Sequence, residues 1–237
     1  MAFTIDDFGP PPGLHYLSEY VVGVGYSFAN PGQDLALPPA DVIGGERDFD
    51  LEWMAGGGTY AGATAKIIGS GTLIDPRYLE YANSTSVETK FEIAYGIDLV
   101  NGNDVQLNAD FSPESDITIH FLSTDQNSQF TVQLWSDVGT VDEATVSKVY
   151  PLSGGYTGTY SVSLSDFPKV NLSDIDKIAL TFGFASTTGP DDETATYAAN
   201  FDMGIDFIGT TETAIPEPAT LTLLGISLVA LARRRKR

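Results

Sequence analysis

The sequence predicts an all-β chain: a jelly-roll-like antiparallel β-sandwich followed by a C-terminal transmembrane helix. Three observations predict it. Up to about residue 215, apolar residues alternate with polar ones in short runs bounded by Gly, Pro, Asn and Asp, which is the period of a half-buried strand. Hardly any segment there sustains a helical period of 3.6. Ala219 to Ala232 is an uncharged apolar run that ends in a block of basic residues.

The elements follow in order. Thr4-Ile5-Asp6-Asp7-Phe8 reads as the first strand of a domain. Residues 9–40 hold six of the 13 prolines, so they read as an irregular approach to the core. Gly44, Gly45 and Gly56-Gly57-Gly58 read as turn residues without the strand-to-helix setting of a phosphate loop. Directly after Gly45, Glu46-Arg47-Asp48 is expected to tie its loop down through local ion pairs.

The clearest strand is Asp116 to Phe121, with Ile117, Ile119 and Phe121 on one face and Thr118 and His120 on the other. Val87, Thr89, Phe91 and Ile93 alternate with charged residues, and Phe130, Val132 and Leu134 with Thr131, Gln133 and Trp135. Val105 to Ala109, Tyr160 to Leu164 and Ile178 to Phe182 repeat the pattern. Thr196 to Ile208 is one long strand or two, with Tyr197, Phe201, Met203, Ile205 and Phe207 on its odd-numbered face. Asn101 to Asp104 and Ser153-Gly154-Gly155 are turn chemistry, and Asn171 to Asp176 allows one helical turn. About ten strands with short connections fit a sandwich or barrel. No repeat of the solenoid kind is present.

The tail has its own physics. Fourteen residues from Ala219 to Ala232 span about 21 Å as a helix, short of the ~30 Å hydrocarbon core. Pro218 suits the first helical turn, and Arg233, Arg234, Arg235, Lys236 and Arg237 can snorkel to the headgroups and act as a membrane stop. Positive flanks stay in the cytoplasm, which places the rest of the chain on the far side. The expected organisation is a β-sandwich over 1–209, a linker over 210–215 and the tail from 216 to 237.

Composition narrows function. Residues 1–215 carry seven Lys or Arg against 31 Asp or Glu, a balance of −24. Such a surface repels nucleic acid and anionic headgroups, suits extracellular solubility and tolerates divalent cations. The chain has no cysteine, which excludes thiol nucleophiles and Cys-based zinc sites.

The tail resembles a PEP-CTERM sorting signal, the substrate signal of bacterial exosortases, on Pro216, Glu217 and Pro218, the apolar helix and the Arg-rich end. The Gram-positive rival signal, Leu-Pro-x-Thr-Gly, is absent. The resemblance implies export across a Gram-negative inner membrane, retention there, and exosortase processing near Pro-Glu-Pro. It also implies a setting of exopolysaccharide and biofilm matrix. Such proteins carry an N-terminal signal peptide, whereas Met1 to Asp7 shows neither a basic region nor an apolar stretch after it. A start codon placed too late is the expected reason; trimming, or a defective copy kept in the cytoplasm, are the alternatives. Two shorter stretches also resemble known domains. Tyr160 to Phe167 with Val170 to Leu180 is similar to late strands of galactose-binding-like and carbohydrate-binding jelly rolls, and Val42 to Asp48 to a motif near the start of other PEP-CTERM domains.

Chemistry-bearing residues are sparse. His15 and His120 lack triad spacing, and no Gly-x-Ser-x-Gly elbow occurs. The many carboxylates leave a glycosidase pair unassigned. Calcium is the cation such acids would hold, with Asp6, Asp7, Asp202 and Asp206 as ligands if the first and last strands lie together. Trp53, Trp135, Tyr78, Tyr81 and Tyr156 would stack on sugar rings if they face outward. The expectation is an exported, non-enzymatic surface or matrix protein. A carbohydrate-binding module for exopolysaccharide and a matrix glycoside hydrolase are the alternatives.

Overall fold

A computed structural model describes residues 3–8, 18–22, 42–45, 47–56, 62–68, 77–85, 87–96, 106–185 and 196–212. The predicted turn at Asn101 to Asp104, His15, Glu46, Gly57, Gly58 and the whole sorting tail lie outside them.

Twelve strands are present among the described residues: β1 (Thr4–Asp6), β2 (Ser18–Val22), β3 (Asp48–Gly56), β4 (Gly62–Ile68), β5 (Tyr78–Asn83), β6 (Val87–Tyr95), β7 (Glu114–Thr124), β8 (Ser128–Ser136), β9 (Ala144–Leu152), β10 (Gly158–Ser163), β11 (Ile175–Phe184) and β12 (Asp202–Glu212). They form two sheets. One has the order β10-β7-β12-β5-β4-β2, with β1 beside β12; the other is β3-β6-β11-β8-β9. Every strand pairing is antiparallel. The described residues thus form an all-β, antiparallel, two-sheet sandwich.

Period-2 patterning explains the layering. In β6, Val87, Thr89, Phe91 and Ile93 are buried while Glu88, Lys90 and Glu92 are half-buried on the other face, as the alternation predicts. In β7 and β8 the expected inward residues, Ile117, Ile119, Phe121, Phe130, Val132 and Leu134, are all fully buried. Neighbouring side chains of the smaller sheet form an aromatic row, Phe91 on Phe182 at 6.3 Å and Phe182 on Phe130 at 5.8 Å, and the larger sheet meets it with Tyr81 at 5.2 Å from Phe91 and Phe121 at 6.0 Å from Phe130. Burying a large ring of this kind stabilises by about 1.5–3 kcal/mol.

Several local expectations are corrected. Val105 to Ala109 is not a strand among its described residues: Asn108 adopts φ +48°, and only Ala109 bridges, to Ile175. The 196–208 stretch divides into isolated bridges at Tyr197 and Ala199 and then β12. Within β12 the pairing with β7 slips between Ile205 and Phe207. A slip of one residue exchanges faces, so Phe207 leaves the core and Ile208 enters it. Asn171 to Asp174 closes as a hydrogen-bonded turn, and β12 continues to Glu212, into the stretch expected to be linker.

β12 organises one end of the molecule. Along one side it pairs with β7; along the other, Asp202 to Ile205 pair with β5, and Ile208 and Gly209 pair with β1. The first strand therefore lies against the segment from which the sorting tail departs.

Candidate functional site

The acids expected to meet at the first and last strands do not converge. β1 does pair with β12, with Asp6 opposite Ile208. Asp6, however, is fully buried and turns inward, where Arg47 donates to it from both Nε and Nη2. The Phe8 N–H donates to the same carboxylate at 2.7 Å and the Tyr95 hydroxyl at 2.9 Å. Asp7 is exposed. Asp206 accepts on the outer surface from His120, Nδ1 to Oδ1 at 2.5 Å. Asp202 sits at the far end of β12 opposite Ala82. Among the described residues, no grouping of three acids or histidines is placed to hold a metal ion. The physical reason is strand parity together with the β12 slip, which send these carboxylates to different faces and ends of the sheet.

Arg47 was expected to pair within its own charge triplet. It instead reaches back 41 residues to Asp6. The short 3-10 turn Ile43–Gly45, with Gly44 at φ +74° and Gly45 at φ +76°, brings the chain to β3 and delivers the guanidinium beneath β1. Its carbon lies 5.1 Å from the Phe8 ring centre and 5.6 Å from that of Phe49, so two aromatic faces accept part of its charge. Burial works against the Arg47 charge, but Asp6 more than offsets it and the pKa is raised. Burial and the Asp6 charge together push the Tyr95 phenol well above its ordinary value. This cluster is a structural clasp with no opening to solvent.

One group of solvent-facing polar pairs lies on the outer face of the larger sheet. His120, with 39% of its side chain exposed, pairs with Asp206, and the Lys66 ammonium lies 2.7 Å from Glu80. Glu80 faces Gly204 across the β5–β12 pairing. A Cβ placed at Gly204 would sit 3.4 Å from Leu122, 3.6 Å from Ser123 and 3.7 Å from the Tyr78 ring, so these side chains border a shallow floor. Leu122 is 37% exposed, one of three large exposed apolar side chains among the described residues. A flat face with one aromatic ring, a few apolar contacts and paired charges can bind a hydroxyl-rich ligand.

The predicted aromatic residues divide. Tyr81 is fully buried and bonds to Thr89 at 2.5 Å, so it belongs to the core. Trp53 and Tyr156 are partly buried against that core. Trp135 is half-buried on the face opposite Val132 and Leu134, and Tyr78 is half-buried on the outer face. Two tyrosines that the sequence did not single out matter as much. Tyr150 of β9 stacks on Phe130 at 5.5 Å, and Tyr160 of β10 meets the same ring edge-on at 5.0 Å. Alternation in β10 was the available signal for Tyr160. Nothing local marks Tyr150, because Lys148 shares its parity in the strand.

An antiparallel two-sheet β-sandwich joined to a sorting tail is the class of protein that fold and sequence define. Residues 214–237 match the PEP-CTERM protein-sorting motif. The sandwich has distant likenesses among solved structures. One is a family 11 carbohydrate-binding module from Clostridium thermocellum in complex with a beta-1,3-1,4-mixed-linked tetrasaccharide, at 12% identity over 90% of this chain and 96% of that one, TM-score 0.42. A second is the family 11 module of a cellulosomal cellulase of the same organism, at 13% identity over 92% and 98%, TM-score 0.43. A third is an exo-beta-agarase, at 13% identity over 71% of this chain but 24% of that one, TM-score 0.42. Comparison with curated proteins gives no match. No helix among the described residues is long and apolar enough to cross a membrane.

Proposed function

We propose that the chain is an exported, exosortase-sorted, non-enzymatic protein of the cell surface or extracellular matrix. The observation that carries this reading is the sorting-motif match at residues 214–237, directly behind a domain whose last strand ends at Glu212. In this reading Pro216, Glu217 and Pro218 are the processing signal, Ala219 to Ala232 form the membrane helix, and Arg233 to Arg237 hold its cytoplasmic end. Exosortase and the inner membrane are the partners during sorting; the acidic sandwich is what the cell displays. Intact mass and terminal peptides from fractions of the native host test this. A product that has lost its tail near Pro216 and lies outside the inner membrane supports sorting. A cytoplasmic product still ending at Arg237 overturns it.

A second reading is a carbohydrate-binding module for exopolysaccharide. It is favoured by the solvent-facing combination of Tyr78, Leu122, the His120–Asp206 pair and the Lys66–Glu80 pair, which offers an apolar ring face beside hydrogen-bonding groups. Retention of the protein in a polysaccharide gel tests it. A matrix hydrolase would instead release sugars from isolated matrix.

A further inference from the structure

We infer that the tyrosine-lined edge where β9 meets β10 is a glycan-binding site whose ligand is a neutral polysaccharide chain. The inference rests on the carbohydrate-binding reading and adds the location and charge class of the ligand.

β9 and β10 are the terminal strands of the two sheets, so among the described residues no further strand closes the core between them. The aromatic centre reaches the surface there. Phe130 is fully buried; against it lie Tyr150 and Tyr160, 6.2 Å apart, and Tyr156 follows at 5.9 Å from Tyr160. All three tyrosines are partly buried against the core, so each ring is held by packing while part of it faces water. The Tyr150 hydroxyl donates to Asp166 at 3.0 Å and that of Tyr156 to the Thr159 carbonyl at 2.8 Å. These bonds fix the rings in place. The Tyr160 hydroxyl makes no hydrogen bond among the described residues. Exposed Lys148, two residues before Tyr150 in β9, shares its side of the strand.

A pyranose ring presents C–H faces between hydroxyls. Pre-positioned tyrosines match both parts, with ring carbon for the faces and phenol oxygen for the hydroxyls. Charge selects among glycans. The balance of −24 over residues 1–215 repels a polyanionic chain and leaves neutral ones. A second protein strand is a poorer occupant, because β9 carries Pro151 and exposed Lys148, both of which blunt edge pairing.

The test is affinity electrophoresis of the full chain in detergent, through gels containing mixed-linkage β-glucan, agarose or alginate. A neutral gel is expected to retard the protein and alginate is not. Tyr160→Ala should weaken binding about tenfold, and Val141→Ala, at a fully exposed position outside both faces, should leave it unchanged. Because Tyr160 also packs on Phe130, nitration of the unaltered chain by tetranitromethane gives an independent readout: the retarding glycan should protect Tyr150, Tyr156 and Tyr160. Passage through both neutral gels without retardation overturns this site together with the carbohydrate reading. Retardation with protection at Tyr78 alone, and loss in Tyr78→Ala, overturns the edge site and leaves that reading standing. Retardation in alginate overturns the neutral class.

Discussion

The Asp6 carboxylate and the Arg47 guanidinium meet with both side chains wholly removed from water. The pair ties the first strand to the turn before β3, and β1 in turn lies along the end of β12. Removing one partner leaves the other charge buried alone. Arg47→Met should therefore destabilise the domain by about 3–5 kcal/mol, and Asp6→Leu by a similar amount. The double variant should recover much of that loss. Urea unfolding of the three variants forms a cycle; additive losses would show that the two residues are not coupled.

Asn83 joins two distant parts of the chain. Its amide nitrogen donates to the Ala198 carbonyl at 2.8 Å and to Thr89 Oγ1 at 3.2 Å, and its oxygen accepts from the Phe201 N–H. Asn83→Ala strands two buried backbone groups, at about 1–3 kcal/mol each. The expected outcome is a Tm drop of several degrees, read by circular dichroism, with Asn83→Asp intermediate.

Gly183 combines φ +89° with close neighbours. A Cβ there would lie 2.6 Å from the Thr89 carbonyl and 2.7 Å from the Tyr81 hydroxyl. Gly183→Ala should cost more than the roughly 1–3 kcal/mol of backbone strain alone, because it also parts Tyr81 from Thr89. A chemical-denaturation midpoint equal to that of the parent would refute this packing.

Asp202 supplies a pH prediction. Burial, with Asp125 and Glu80 adding to it, raises its pKa in the folded protein. A carboxyl whose folded pKa lies above its unfolded one favours folding fully below the unfolded value, and that contribution is lost as pH rises through the folded value. At neutral pH, then, the ionised group costs stability, though solvent screening keeps the cost small. Asp202→Asn should raise Tm slightly at pH 7, and the gain should fade as pH falls below the carboxylate range. A variant that melts lower than the parent at pH 7 would contradict the sign.

The strands read most clearly from sequence were those with one wet face. The alternation in β6, β7 and β8 gives both element and direction, because the outward positions other than Leu122 and Trp135 carry polar side chains. β3, β4 and β5 escaped that reading. β4 mixes small and apolar residues on both faces, as Ala63, Ala65 and Ile67 point inward while Thr64, Lys66 and Ile68 do not. The outer-face site was legible only in fragments. His120 was placed correctly on a polar face, but its partner Asp206 comes from 86 residues away.

By itself the sequence determined that the chain is β-rich, which side chains of the regular strands face inward, that the domain is acidic, and that its end carries a sorting motif. Each of these rests on short-range physics: side-chain parity along a strand, the charge count, and contiguous residues in a motif. The tertiary structure decided that Arg47 serves Asp6, that the slip in β12 exchanges Phe207 for Ile208, and that three tyrosines gather at an open edge. Those outcomes depend on strand order and register between segments far apart in the chain, which no local pattern encodes.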